Sequence, residues 1–184
     1  MPLSREQARR VLETADLVCP AAVVSEAVAR MAREISATLA DSFPLVLCVM
    51  RGSIVFAGHL LPQLRFPLEI DYLDLTRYRN ATRGGEIAWR TMSGTAVAGR
   101  VVLVVDDILD EGNTLAAIRE NLAASGASRV CCAVLAEKDT GRDKPARAEF
   151  IGVRVPNRYV FGFGMDVRGI WRNLPEIYAL REGQ

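Results

Sequence analysis

The sequence predicts an α/β protein built on a parallel sheet, and two observations carry that prediction. Short continuous apolar runs, Leu45-Val-Leu-Cys-Val-Met50, Val101-Val-Leu-Val-Val105 and residues 130–135, have the character of strands buried on both faces. Stretches of helical periodicity separate them, and strand–helix–strand alternation builds a parallel sheet. A length of 184 residues fits one domain.

In chain order, Ser4-Arg-Glu-Gln7 has the spacing of a capping box and opens a helix ending near Val18. Pro20 restarts a second helix over about residues 21–39, followed by the strand ending at Met50. Residues 54–64 are apolar enough for a packed helix, and residues 68–75 alternate acidic and apolar side chains like a strand with one wetter face. Residues 77–95 carry Arg77, Arg79, Arg83 and Arg90 around Gly84-Gly85 without sustained periodicity, the pattern of a long basic loop, either a surface hairpin or a lid. The run 101–105 is the strongest strand and should lie centrally. A helix over 114–125 stops at Gly126 before the strand at 130–135. The tail from Phe150 to Leu180 turns aromatic-rich, with Pro156 and Pro175, and reads as a small lobe over one end of the sheet. These divisions give a core over about residues 40–148 and a hood from the N-terminal helices and residues 149–184.

Half the residues are hydrophobic and 24% are charged, which excludes disordered and disulfide-scaffold classes. A formal net charge of +1 supplies no field for nucleic acid or a membrane surface, and no apolar run is long enough to span a bilayer. The N-terminal residues lack the apolar stretch of a secretory signal, so a cytoplasmic protein is expected. Four cysteines read as reduced and buried, with Cys131 and Cys132 pointing to opposite faces of one strand. The single histidine, His59, has no nearby acid and reads as a helix residue, so any general base is expected to be a carboxylate.

The site-bearing segment is Val101-Val-Leu-Val-Val-Asp106-Asp107-Ile108-Leu109-Asp110-Glu111-Gly112-Asn113-Thr114-Leu115. A central strand ends at two adjacent carboxylates, and a short loop runs into a helix N-terminus. Ligands of open parallel sheets bind at the carboxyl ends of strands. The unpaired amides of residues 111–115, aligned with the helix dipole, suit a phosphate. The acids Asp106, Asp107, Asp110 and Glu111 repel one another unless a cation or sugar hydroxyls lie among them. Phosphate donors beside vicinal acids describe a site for a phosphorylated sugar with a divalent metal. No GxxxxGK[ST] loop is present, which removes a P-loop nucleotidase.

With those residues in place, the segment resembles the phosphoribosyl-pyrophosphate signature of type I phosphoribosyltransferases. Over about residues 40–175 the chain resembles the hypoxanthine-guanine phosphoribosyltransferases, because three further motifs fall in the right order and spacing. The resemblance implies the type I fold, a central parallel sheet flanked by helices under a small hood. It implies transfer of phosphoribose from phosphoribosyl pyrophosphate to N9 of a 6-oxopurine, with Mg²⁺, in a homodimer or homotetramer. Asp106 and Asp107 match the acidic pair that holds the ribose hydroxyls and Mg²⁺. Asp110 matches the general base at purine N7, and Glu111, Gly112, Asn113 and Thr114 match the 5′-phosphate loop. At Glu111 the family often has Thr or Ser, so the amides must bind the phosphate with Glu111 turned outward.

The resemblance extends to the other loops. Met50-Arg51-Gly52 matches the loop where a non-proline cis peptide presents amides to pyrophosphate, with Arg51 where Lys is usual. Arg77-Tyr78 matches the start of the mobile lid, with Tyr78 the better match. Lys138 matches the contact to the purine 6-oxygen, Tyr159 the stacking ring and Val160 a backbone contact to the base edge. Ile108 and Met165 are further purine-binding positions that the resemblance implies. Asp166, also among the purine-binding positions, matches the residue that holds a second Mg²⁺ indirectly or through water, and Arg172 a pyrophosphate contact. Two other readings remain in view: a ligand-sensing regulator of this fold, disfavoured by the full set Asp110, Lys138 and Arg172 and by the lack of a basic face, and a transferase for another base, disfavoured by Lys138, which suits an oxygen acceptor.

Overall fold

The computed structural model describes residues 3–77, 87–91 and 96–181. Its main sheet is six-stranded, in the spatial order Ile87–Thr91, Glu69–Arg77, Leu45–Met50, Val101–Leu109, Arg129–Lys138 and Phe150–Val155. The strands are β2 (Leu45–Met50), β3 (Glu69–Arg77), β4 (Ile87–Thr91), β5 (Val101–Leu109), β6 (Arg129–Lys138) and β7 (Phe150–Val155). All neighbours pair parallel except β3 with β4. Helices α2 (Ala21–Leu39) and α3 (Ile54–Leu60) cover one face, and α4 (Asn113–Ala124) the other. Residues 102–105 of β5 are wholly buried, and their side chains alternate between two cores. Leu103 and Val105 pack with Val28, Met31 and Ile35 of α2. Val102 and Val104 pack with Leu115, Ile118 and Leu122 of α4. Each such aliphatic side chain contributes roughly 1.5–3 kcal/mol on burial, which is why the central strand reads as an unbroken apolar run.

Several elements differ from the sequence expectation. Helix α1 (Arg5–Glu13), opened by the reciprocal Ser4–Gln7 capping box, stops well short of Val18, at Glu13. Asp16–Cys19 is instead β1, paired antiparallel with β9 (Ile177–Ala179), which pairs in turn with β8 (Val160–Phe161). Its partner lies at the far end of the chain, beyond the reach of local periodicity. Helix α3 ends at Leu60, and a 3-10 turn over Leu61–Gln63 with Pro62 takes its place. Ile87–Thr91, within the segment read as a loop, is the edge strand β4. Phe150–Val155, assigned from sequence to the hood, pairs with β6 in the main sheet. Helix α2 likewise belongs with the core: Arg30 Nη2 donates to the carbonyls of Ile151 (3.0 Å) and Gly152 (2.6 Å) of β7.

The small lobe is therefore the β1-β9-β8 sheet with the loops around it. Arg158 and Arg181 donate to Asp16 at 2.6 and 3.0 Å, and Arg158 above all holds its carboxyl below the ordinary carboxylate value. Trp171 Nε1 donates to the Ala8 carbonyl at 2.8 Å, tying α1 to the tail. All four cysteines are free and buried, and burial pushes Cys48 up to about 11 and Cys132 to about 12, so neither is a nucleophile at neutral pH. His59 lies on α3 with its ring 4.9 Å from that of Phe163.

Glu149 joins α4 to the β6–β7 edge. It accepts from Arg119 at 2.6 and 2.5 Å and from the Cys132 amide at 2.7 Å. Burial opposes its ionisation, but these donors outweigh it and hold the carboxyl below the ordinary 4.5. Its stabilisation is present above that value and is lost as pH falls through the lowered one. Glu149→Gln is therefore expected to lower Tm at neutral pH by a margin that closes on acidification. Thermal scans from pH 7 down to pH 3 check this, and a pH-independent margin would contradict it.

Candidate active site

The carboxyl ends of β2, β3 and β5 form the floor of a cleft of about 530 Å³. Arg51, Gly52, Asp106, Asp107, Ile108, Asp110, Gly112, Thr114, Asp166 and Arg172 line it, so most of the residues singled out from sequence converge on one opening. Asp106 and Asp107, expected to follow the end of the central strand, lie inside β5. The strand continues to Leu109 because β6 supplies partners as far as Ala136 for Ile108 and Glu137 for Leu109. Adjacent strand residues point to opposite faces, and the Asp107 amide donates to Asp106 Oδ1 at 2.9 Å. Burial lifts the Asp107 carboxyl above its ordinary 3.8, against the pull of Asp106 and of the Arg172 charge.

The loop from β5 to α4 is set by Gly112, whose φ of +85° places it in the left-handed region at the helix N-cap. A Cβ there would lie 3.2 Å from both Lys144 Cβ and Pro145 Cδ, so glycine also permits close packing on residues 144–145. Gly112, Thr114 and Leu115 at the start of α4 line the cleft, which places the positive end of the helix dipole beside it. Glu111 is exposed and accepts from Asn113 Nδ2 at 3.2 Å. Asp110 follows the end of β5, and its Oδ2 accepts from Lys138 Nζ at 2.7 Å; their side chains are 42% and 12% exposed. Lys138 itself lines a neighbouring cleft rather than the main one.

On the far wall, a cis peptide joins Met50 to Arg51, and the chain turns through Gly52 into α3. A Cβ on Gly52 would overlap the Asp107 carboxylate, and one on Gly164 would overlap the Gly52 carbonyl oxygen. Glycines at 52 and 164 thus let the tail, the turn and the acidic strand stack directly. Arg172 Nη1 donates to the Gly164 carbonyl at 2.6 Å, and its Nη2 pairs with Asp166 Oδ1. The other Asp166 oxygen accepts from the Gly169 amide at 2.6 Å. Tyr159 is 53% exposed, with its hydroxyl donating to the Asp166 carbonyl at 3.1 Å. Val160 and Met165 are buried in the hydrophobic core, which leaves only their backbones to meet a ligand. Tyr78 lies outside the described residues, as do residues 79–86 of the expected lid.

Sequence reasoning missed Asp74 and Gly164. Asp74 ends the acidic alternation of β3, stands opposite Met50 and lines the cleft, so its strand-end position was the available signal. Gly164 belongs to Gly162-Phe163-Gly164, which was absorbed into an aromatic-rich tail.

The chain matches the family model described as "Phosphoribosyl transferase domain" over residues 22–168. It is 32% identical over 159 residues to the hypoxanthine-guanine phosphoribosyltransferase of Bacillus subtilis, covering 86% of this chain and 88% of that one. With the enzyme of the same name from Lactococcus lactis it shares 37% identity over 139 residues, 75% of each chain. A solved hypoxanthine-guanine phosphoribosyltransferase from Bacillus anthracis superposes with a TM-score of 0.84 at 26% identity, covering 90% of this chain and 98% of the other. With this fold, this cleft and these relatives, the chain belongs to the phosphoribosyltransferase family and groups within it with the hypoxanthine-guanine phosphoribosyltransferases.

Proposed function

We propose that this protein transfers the 5-phosphoribosyl group from phosphoribosyl pyrophosphate to N9 of hypoxanthine or guanine, releasing IMP or GMP and pyrophosphate. The observation that carries the reading is convergence: the Asp106–Asp107 strand end, the Gly112 helix start and the Arg51–Gly52 turn share one cleft. Asp106 and Asp107 take the ribose hydroxyls, and the amides of residues 111–114 at the positive end of α4 take the 5′-phosphate. The Arg51–Gly52 turn, Tyr78 and Arg172 receive the pyrophosphate. As the C1′–oxygen bond to pyrophosphate breaks and the N9–C1′ bond forms, the N7 proton passes to Asp110. Lys138 donates to the 6-oxygen, Tyr159 stacks on the base, and Ile108, Met165, Asp166 and the Val160 backbone close around it.

The donor set fits Mg²⁺. It consists of carboxylate oxygens only, and among the described residues no three acids or other ligating side chains cluster tightly enough to cage a metal. An ion that keeps waters and substrate oxygens around one or two carboxylates suits Asp106 and Asp107, and a second such ion would be held by Asp166 indirectly or through water. When bound, Mg²⁺ supplies neutralisation of the leaving pyrophosphate.

A second copy of the chain is the proposed partner. Ile70 and Tyr72 pair in register with Val46 and Cys48, so they point to the same face of the sheet, where they are 59% and 46% exposed. Apolar side chains grouped on one face suit a homodimer or a tetramer built from it. No described helix is long and apolar enough to cross a membrane, and we place the protein in the cytoplasm.

The test is incubation with phosphoribosyl pyrophosphate, Mg²⁺ and each of hypoxanthine, guanine, xanthine and adenine, followed by absorbance. Turnover of a 6-oxopurine with adenine inert is the expected result. Nucleotide binding without turnover of any base would replace the enzyme with a ligand-sensing regulator.

A further inference from the structure

Lys144, in the connection from β6 to β7, belongs to none of the motifs above, yet its ammonium is among the most constrained groups near the site. Its side chain is 10% exposed. Nζ donates to the Lys138 carbonyl at 2.6 Å and to the Leu109 carbonyl at 3.1 Å, and stands 3.7 Å from Glu137 Oε1. The aliphatic stem lies against Gly112 of the phosphate loop. Desolvating an ammonium is costly, so a lysine persists here only where such acceptors compensate.

The acceptors are informative. The β5–β6 ladder ends at Leu109 opposite Glu137, one residue before each of the two side chains assigned to the base, Asp110 and Lys138. Beyond that rung no strand pairing fixes the distance between the two chains. The Lys144 ammonium bridges the carbonyl preceding Asp110 and the carbonyl of Lys138 itself, so one cation takes over where the ladder stops. A 6-oxopurine presents O6 and N7 as neighbours on one edge, so its donor and its base must be held at a fixed separation.

On the reading given under Proposed function, we propose that Lys144 is a positioning residue, which sets the spacing of Asp110 and Lys138 and so governs engagement of the purine edge without touching substrate. Lys144→Met keeps the stem against Gly112 and removes the bridge. It is expected to lower kcat/KM for hypoxanthine by ~10²-fold, the cost of a misplacement of about 1 Å, with a raised purine KM and an unchanged KM for phosphoribosyl pyrophosphate. A lysine that only stabilised the fold would lower Tm and the active fraction while leaving both KM values where they were.

Lys144→Arg supplies a second reading if the Met variant does not fold. It keeps the charge, but a guanidinium is wider than the compact ammonium that sits within 3.1 Å of both carbonyls and does not fit the same place without moving them, so the same selective loss for purine is expected at smaller size. Wild-type protein assayed alongside separates the failures. No wild-type turnover overturns the enzyme reading and this inference with it. An active wild type overturns this inference alone if Met, or Arg where Met is unfolded, matches it in purine KM and kcat, or if both KM values move together.

Discussion

Replacing Asp110 by Asn is expected to lower kcat by ~10²–10⁴-fold, the range a positioned general base contributes, while leaving the KM for phosphoribosyl pyrophosphate near its wild-type value. Asn is nearly isosteric, so the backbone after β5 and the Gly112 helix start keep their places. Its amide oxygen can still accept from Lys138, which in the wild type stands 2.7 Å from Asp110 Oδ2. What Asn cannot do is take the N7 proton as the N9–C1′ bond forms. Because the Asp110 side chain is 42% exposed, loss of its ion pair costs little stability, and Tm is expected to move by no more than a degree or two. Steady-state kinetics with each substrate varied, together with a melting curve, check both halves. A kcat within about twofold of wild type in a folded Asp110→Asn protein would remove Asp110 from the chemistry.

The legible part of the fold is the part whose partners are its own neighbours in sequence or whose burial is complete. Residues 101–105 announce a strand because both faces are packed, and Gly126 marks the end of α4 through its own φ of +85°. Asp106 and Asp107 were found as a pair, but their place inside β5 was not. Two acids argue against a strand, and only the length of β6, out to Lys138, holds them in one. Strand β1 was read as helix because its partner β9 lies at the other end of the chain. The cleft was legible where residues sit together in one motif, as in 106–114. Where they meet only in space it was not: Lys144 reaches a carbonyl 35 residues away, and Gly164 packs on Gly52. Tertiary contacts of that kind leave no periodicity to read.

That Gly52–Gly164 contact sets the second large effect, the loss expected from Gly164→Ala. Gly164 has φ +104°, outside the region an L side chain adopts without strain, and its added methyl would run into the Gly52 carbonyl. Strained backbone costs about 1–3 kcal/mol and overpacking about as much again. In a domain of this size each kcal/mol is worth ~2–4 °C, so Tm is expected to fall by roughly 10 °C. The obstacle cannot retreat easily, because Gly52 is itself pressed against the Asp107 carboxylate on its other side. Gly141→Ala is the control without a collision: φ is +65°, in the left-handed region an L side chain enters at modest cost, and nothing lies within 4 Å of the new methyl. Equal losses of Tm in the two variants would show that backbone strain alone, and not the stack, makes glycine necessary at 164. If the stack is what matters, the displaced carbonyl belongs to the turn proposed to receive pyrophosphate. Gly164→Ala should then raise the KM for phosphoribosyl pyrophosphate as well, whereas Gly141→Ala should leave it alone, because the collision and the ligand share one turn.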